Sequence, residues 1–309
     1  MCIRDSETLN RIAGTDRTFP GSAEMALEVK PPFTHVRLFE LANKRVKELS
    51  DLVAGRPNAQ VIQGDCNLMI PAALASLPVK APTFAFLDPD GMELEWATVR
   101  ALSDHKRAYA EKFNKSKVEM WILFSTSGMV RMLGKNRDAV GENRLLDKAA
   151  RLYGASGPFE RIWEAKLAGE ITGGDAQRAY LFLNMDRLAD LGDRHLMVRP
   201  IHGSRGQLYA MVFASDHRAG ANIMQWAQER DRVRPRADTL FDLPESRPAY
   251  EDLHTGWRNE FPIELPTWTE LALSLIHISE PTRLLSISYA VFCLKNKTHA
   301  TRLPPLPSV

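Results

Sequence analysis

Three acidic residues, Glu40, Asp65 and Asp88, stand at or just past the ends of short apolar runs that read as successive β-strands. That position matters because open α/β sheets bind ligands in the crevice outside the carboxyl ends of their strands. A carboxylate there offers two acceptor oxygens, which match the vicinal diol of a ribose. Glu40 fits this role. In Gly64-Asp65-Cys66-Asn67, the Asp65 side chain and the adjacent backbone at Cys66 fit the neighbouring one, taking the amino group and ring nitrogen of a purine. The third residue closes the stretch APTFAFLDPDG, Ala81 to Gly91, in which Phe84 to Leu87 looks like a buried parallel strand. Each residue alone reads more simply as a solvated strand end, since Asp, Pro and Gly are common turn residues. Taken in order on one sheet, they favour a nucleoside site.

Other chemistry-bearing residues read more plainly. His195, His202 and His217 have no second ligand at metal-binding spacing. Ser125-Thr126-Ser127-Gly128 lacks the flanking glycine of a nucleophile elbow and reads as a helix cap. The basic run Arg230, Arg232, Arg234 and Arg236 is interrupted by Asp231 and reads as a solvated helix end. The three carboxylates also admit a metal-dependent nuclease or nucleotide-processing reading, which predicts magnesium-dependent activity.

The positioning elements follow from periodicity. Strands are expected at Phe33–Glu40, Val61–Ile62, Phe84–Leu87 and Val118–Phe124, with helices at Ala42–Val53, Leu68–Leu77 and Leu94–Phe113 between them. Further helices follow over Met129–Leu133, within Asp138–Phe159 and over Ala176–Leu191. His195–Ile201 and Leu208–Ala214 flank HGSRGQ, a hairpin signal, and Ser215 or Asp216 caps a helix to about Glu229. Alternation of this kind predicts an α/β fold with a doubly wound sheet closed by an antiparallel hairpin. That is the arrangement of the class I methyltransferases.

The chain has 309 residues, 44% hydrophobic and 25% charged, enough for a full core. A net charge of +2 is too mild to imply nucleic acid by itself. No apolar run approaches a membrane span, and Cys2, Cys66 and Cys293 show neither metal-ligand spacing nor a disulfide framework. A cytoplasmic protein without a membrane partner is expected. Residues 1–6 and 274–309, the latter containing SLIHISEPTRLLSISYAVFCLKNK, resemble translated sequencing-adapter read-through. They are expected to be non-native ends that make few contacts, leaving a domain over 7–229 and a Pro-, Arg- and Trp-rich appendage over 230–273.

The segments FPGSAEMALEV, VRLFELANKRVKEL, VIQGDCN, FAFLDPDGMELEWATVRAL, WILFSTSGMVRML and GQLYAMVFASDHRAGANIM resemble, in order and style, the three-Cys-motif partner family (TcmP). The resemblance covers about residues 9–228 and rests mainly on the FLDPDG turn followed by Trp96 and on LYAMVFASDHRAG. It implies a Rossmann-like methyltransferase sheet and S-adenosylmethionine as cofactor, in a bacterial or phage protein. Its partner would be a radical-SAM-like three-Cys-motif protein. Asp88-Pro89-x-Gly91 also resembles the motif of methyltransferases acting on exocyclic amino groups. There Asp88 and a backbone carbonyl at Pro89 would hold the amino hydrogens, and Gly91 would complete the turn. Asp90 stands where that motif has an aromatic residue, a departure that weakens a nucleobase substrate. Glu40, Asp65 and Cys66 would hold the cofactor's nucleoside half. The family's first strand and glycine-rich loop, expected before Gly14, are missing, so cofactor binding should be weak or lost. Two outcomes stay open: a methyltransferase acting on a nucleic-acid-related amino group, and a non-catalytic docking partner.

Overall fold

In the computed structural model, residues 21–89, 91–133, 142–203, 206–233 and 289–293 are described. They form a mixed α/β fold around one seven-stranded sheet. Helix α1 (Ser22–Glu28) precedes β1 (His35–Glu40), and α2 (Asn43–Val53) leads to β2 (Ala59–Gln63). Helix α3 (Cys66–Leu74), β3 (Thr83–Leu87), α4 (Trp96–Asp104), α5 (Arg107–Phe113) and β4 (Glu119–Phe124) follow. Helices α6 (Thr126–Met132), α7 (Glu142–Tyr153), α8 (Pro158–Ala168) and α9 (Gly173–Asp190) come next. The hairpin β5 (His195–Gly203) and β6 (Gly206–Ser215), then α10 (Arg218–Val233), lead on to β7 (Tyr289–Cys293). The strand order is β2-β1-β7-β3-β4-β6-β5. The first five of these strands run parallel, and β6 turns antiparallel against β4 and β5.

Side-chain alternation explains the two layers. In β1, Val36 and Leu38 are buried with Ala23, Ala26 and Leu27 of α1 and pack on Leu49, Leu52 and Val53 of α2. Phe39, one residue out of phase, joins the opposite and larger cluster with Ile70 and Leu74 of α3. Strand β3 repeats the pattern: Ala85 and Leu87 face the large cluster, while Phe86 packs on the small one. Phe86 also meets Trp121 of β4 edge-on, with ring centroids 5.7 Å apart. Helix α9 enters through a capping box between Thr172 and Asp175 and is buried along most of its length, from Ala176 to Leu188.

Three departures from the sequence expectation have physical causes. The expected single helix over Leu94–Phe113 breaks at His105–Lys106, where Lys106 turns inward and donates from Nζ to the Ala81 carbonyl at 2.8 Å. Ser125 takes the N-cap position of α6, as expected, but makes no side-chain capping bond there. Most consequentially, residues 289–293, expected to lie outside the fold, occupy the centre of the sheet. Tyr289 stands opposite His35 and Thr83, and Cys293 opposite Phe39 and Leu87. Backbone ladders are indifferent to sequence origin, and Tyr-Ala-Val-Phe-Cys has the strand propensity a buried position needs. Residues 1–6 and most of the appendage, 234–273, lie outside the described residues.

A chain ending at residue 273 should therefore lose stability. It leaves β1 and β3 each without a neighbour on one side, so its melting temperature should fall by well over the roughly 2–4 °C that 1 kcal/mol represents in a domain of this size. Differential scanning calorimetry on both lengths checks this; an unchanged melting temperature would return residues 289–293 to the status of a passive tail.

Candidate functional site

The parallel strands end at one edge, and the three predicted carboxylates all stand there. Glu40 is the last residue of β1, with Gln63 of β2 opposite it. The Gly64 amide donates to the Glu40 carbonyl at 3.0 Å, tying the two strand ends together. Gly64 has φ +148°, and a Cβ there would lie 2.7 Å from Met69 Cγ, so the turn into α3 requires glycine twice over. Asp65 caps α3 by accepting from the Asn67 amide at 2.9 Å. Cys66 is buried, and its thiol belongs to the core. Any ligand role for Cys66 is thus confined to its backbone.

Asp88 and Pro89 are buried just past β3, and Asp90 lies outside the described residues. Gly91 adopts φ +83°, and a Cβ there would stand 3.3 Å from Met132 Cε of α6. The turn is thereby seated against α6, next to the carboxyl end of β4.

Asn67 was not singled out in the sequence as a positioning residue. Its Nδ2 donates to the Glu93 carbonyl at 2.9 Å, while its Oδ1 accepts from the Glu95 amide at 3.0 Å and from Thr98 Oγ1 at 2.9 Å. These bonds staple the first turn of α3 to the loop after β3 and the start of α4. The relevant partners are 26 to 31 residues away, so no local pattern announces them.

Glu40 is held more tightly than a ligand acceptor needs to be. Its side chain is fully covered, and Oε1 accepts from the Ala42 amide at 2.8 Å and from an Arg45 terminal nitrogen at 3.0 Å. Arg45 Nε stands 3.0 Å from Oε2. Arg45, about a quarter exposed, lies across both oxygens that a diol would use. Beside these acids two leucines face solvent: Leu41 is 37% exposed and Leu68 66%. Apolar surface next to Glu40 and Asp65 is what a flat heterocycle would cover.

The remaining candidates separate cleanly. His217 Nδ1 accepts from the Ala219 amide at 3.1 Å and so caps α10. The His202 side chain, Arg234 and Arg236 lie outside the described residues. Among the described residues no group of three or more His, Cys, Asp or Glu could hold a metal ion, so the three carboxylates do not assemble the metal site entertained above. No described helix is long and apolar enough to cross a membrane. An open groove of about 340 Å³ runs along α4, lined by Trp96, Ala97, Arg100, Ala101, Asp104 and Gly154. It does not include the carboxylates.

The opposite edge of the sheet carries a different set of charges. Lys117 Nζ sits 3.0 Å from Asp193 Oδ1, with both side chains buried, and donates to Ser103 Oγ and the Leu191 carbonyl. Asp216 accepts from the Lys117 amide, and Ser215 Oγ is 3.4 Å from Glu119 Oε1. Burial pushes the Glu119 carboxyl up to about 7, with Asp216 adding to the rise. Burial likewise pushes Asp193 up to about 6, against the pull of Lys117.

No protein-family model matches the chain, and no curated protein is similar to it.

Two outcomes follow from this geometry. Asn67→Ala should cost about 2–3 kcal/mol, since it removes three bonds and leaves the Glu93 carbonyl and Glu95 amide without their partner. Chemical denaturation measures it. A raised carboxyl pKa means that the folded state holds the proton more tightly. The stabilisation is therefore complete below the ordinary value of 4.5 and is lost as pH rises through about 7. Glu119→Gln should consequently be more stable than the parent at pH 8, by on the order of 2 kcal/mol, and nearly equal to it at pH 5. Denaturation curves at the two pH values decide this.

Proposed function

We propose that the chain is a Rossmann-like, S-adenosylmethionine-dependent methyltransferase-type domain of the kind found in the three-Cys-motif partner proteins it resembles. The reading is carried by one observation: Glu40, Asp65 and Asp88 end successive parallel strands at a single edge, in the order that a nucleoside followed by a methyl acceptor requires. The strand order, with its antiparallel hairpin at one side, and the exposed Leu41 and Leu68 support it.

The residues fit the nucleoside half of such a cofactor. Glu40 would take the ribose hydroxyls once Arg45 swings aside, Asp65 and the Cys66 backbone the base, and Leu41 and Leu68 its faces. When bound, S-adenosylmethionine supplies an electrophilic methyl on a sulfonium. The protein's own contribution is then positional. Asp88 and the Pro89 carbonyl would accept the two hydrogens of an acceptor amino group and so orient its nitrogen lone pair. Gly91 and α6 hold that turn in place. The acceptor is a nucleic-acid-related amine in this reading.

The Arg45–Glu40 pair favours a second reading, in which the sheet is a docking partner for a radical-SAM-like three-Cys-motif protein. A carboxylate that is already satisfied has less to give a ligand.

Titration calorimetry separates the two. The parent chain should bind S-adenosylmethionine with a Kd of about 1 mM or weaker, near −4 kcal/mol. Arg45→Met should tighten this by about tenfold, the equivalent of 1.4 kcal/mol, and adding Glu40→Ala should abolish the gain. If Arg45→Met binds no more tightly than the parent, or Glu40→Ala leaves its gain intact, Glu40 is not the ribose acceptor and the docking reading is favoured.

A further inference from the structure

We propose that α10 is a pH-sensitive latch, whose first turn closes over the Glu119 carboxyl while that group carries a proton and lifts from it when the proton is lost. The proposal does not depend on the methyltransferase reading.

The seat is built where the hairpin hands over to the helix. Glu119 opens β4 with Phe84 of β3 beside it, and the register that pairs Met120 with Ala214 brings in Ser215 of β6 on the other side. The backbone of α10 lies directly on this pair. A Cβ at Gly220 would overlap Glu119 Oε1 and stand 2.9 Å from Ser215 Oγ, so the helix leaves no width for water there. Little else holds α10 down. Among its described side chains only Gly220 is buried, while Asn222, Ile223, Gln225, Trp226 and Ala227 face solvent.

The groups around Glu119 do not welcome its charge. Asp216, at the exit of the hairpin, is a like charge, and Lys106, from the break between α4 and α5, is the opposing one. Lys106 is already spent on the Ala81 carbonyl. Lys117, two residues earlier, is held by Asp193, Ser103 and the Leu191 carbonyl, with Arg107 also acting on Asp193. His195 of β5 stands opposite Ser215, one strand further out. From α10 itself, Arg218 is exposed, and the Ala219 and Gly220 amides already go to the His217 ring and carbonyl. No first-turn amide among these is left to receive a carboxylate.

Protonation suits the closed seat. A protonated Glu119 donates to Ser215 Oγ, and Ser215 passes its own hydrogen to the His217 carbonyl at 3.1 Å. The ionised form needs water, which reaches this side only if the first turn lifts. Closed, the carboxyl keeps its proton up to about pH 7, chiefly through burial; opened to water, it releases it near its ordinary 4.5. The closed form therefore binds more protons between those values. The ratio of lifted to closed helix rises with pH across that window and levels off above it.

The test is hydrogen exchange of the full chain by mass spectrometry at about pH 5.5, 6.5 and 8, each rate divided by its intrinsic value. A lifted helix of 16 residues is marginal in water, so the amides of residues 221–227 report the lifting. Their opening ratio should grow about sevenfold from pH 5.5 to 6.5 and about fourfold more by pH 8. Peptides from β4 and α9 should stay better protected at every pH. Glu119→Gln keeps the shape without the titration and should hold the ratio at its low-pH value throughout. Asp216→Asn removes the like charge but keeps an acceptor for the Lys117 amide, and should bring the plateau to lower pH. A ratio indifferent to pH overturns the proposal, as does opening of α10 only together with β4 and α9. So does either variant if its profile matches the parent's.

Discussion

Pairing of the buried backbone at the centre of the sheet is the constraint on which the rest depends. A parallel strand covered on both faces cannot turn its N–H and C=O groups to water, so both of its sides need a neighbour. β1 and β3 satisfy this through β7, which forms a ladder with each. The large cluster around Phe39, Ala85 and Leu87 and the small one around Val36, Leu38 and Phe86 both press on these strands. The order of the carboxyl edge follows in turn. Glu40 and Asp88 are placed by the strands flanking the central one, and their separation is set by the width of the strand between them.

Around that centre the two edges have taken different characters. At the carboxyl edge, chain reversals are fixed by glycines and by the Asn67 staple, leaving polar groups and two exposed leucines at the surface. At the amino edge, Lys117, Asp193, Glu119, Ser103 and Ser215 interlock under cover. A buried ion pair contributes less net stability than its proximity suggests, because desolvation opposes it. Its clearer effect here is geometric. Lys117 joins the start of β4 to the end of α9, and Asp216 joins it to the start of α10.

Much of the fold was legible because its signals are local. The alternation in Val36-Arg37-Leu38-Phe39, the apolar run at Phe84–Leu87 and the hairpin around Gly203–Gly206 each declare an element within a few residues, and all were found there. The three carboxylates were legible for the same reason, as residues at or beyond the ends of such runs. What escaped was decided at a distance. Lys106 breaks a helix because of a carbonyl 25 residues away, and Asn67 looks like any helix-start residue until Glu93 and Thr98 are beside it. Arg45 over Glu40 is only five residues distant, yet the helical pattern of α2 says nothing of which way that side chain leans. Tyr289–Cys293 was misplaced because a strand's own residues do not name its partners.

The outer rims of the sheet behave unlike its middle. β5 is the terminal strand on one side, and it carries Pro200 in its interior, paired opposite Ala210. Proline offers no N–H to a further strand, a device by which edge strands resist sheet-to-sheet growth. β2, the opposite rim, is only five residues long and exposes Gln60 and Gln63. Neither rim is a good template for stacking. Among the described strands, edge-to-edge accretion of sheets into fibrils is thus blunted at the two places where it ordinarily starts.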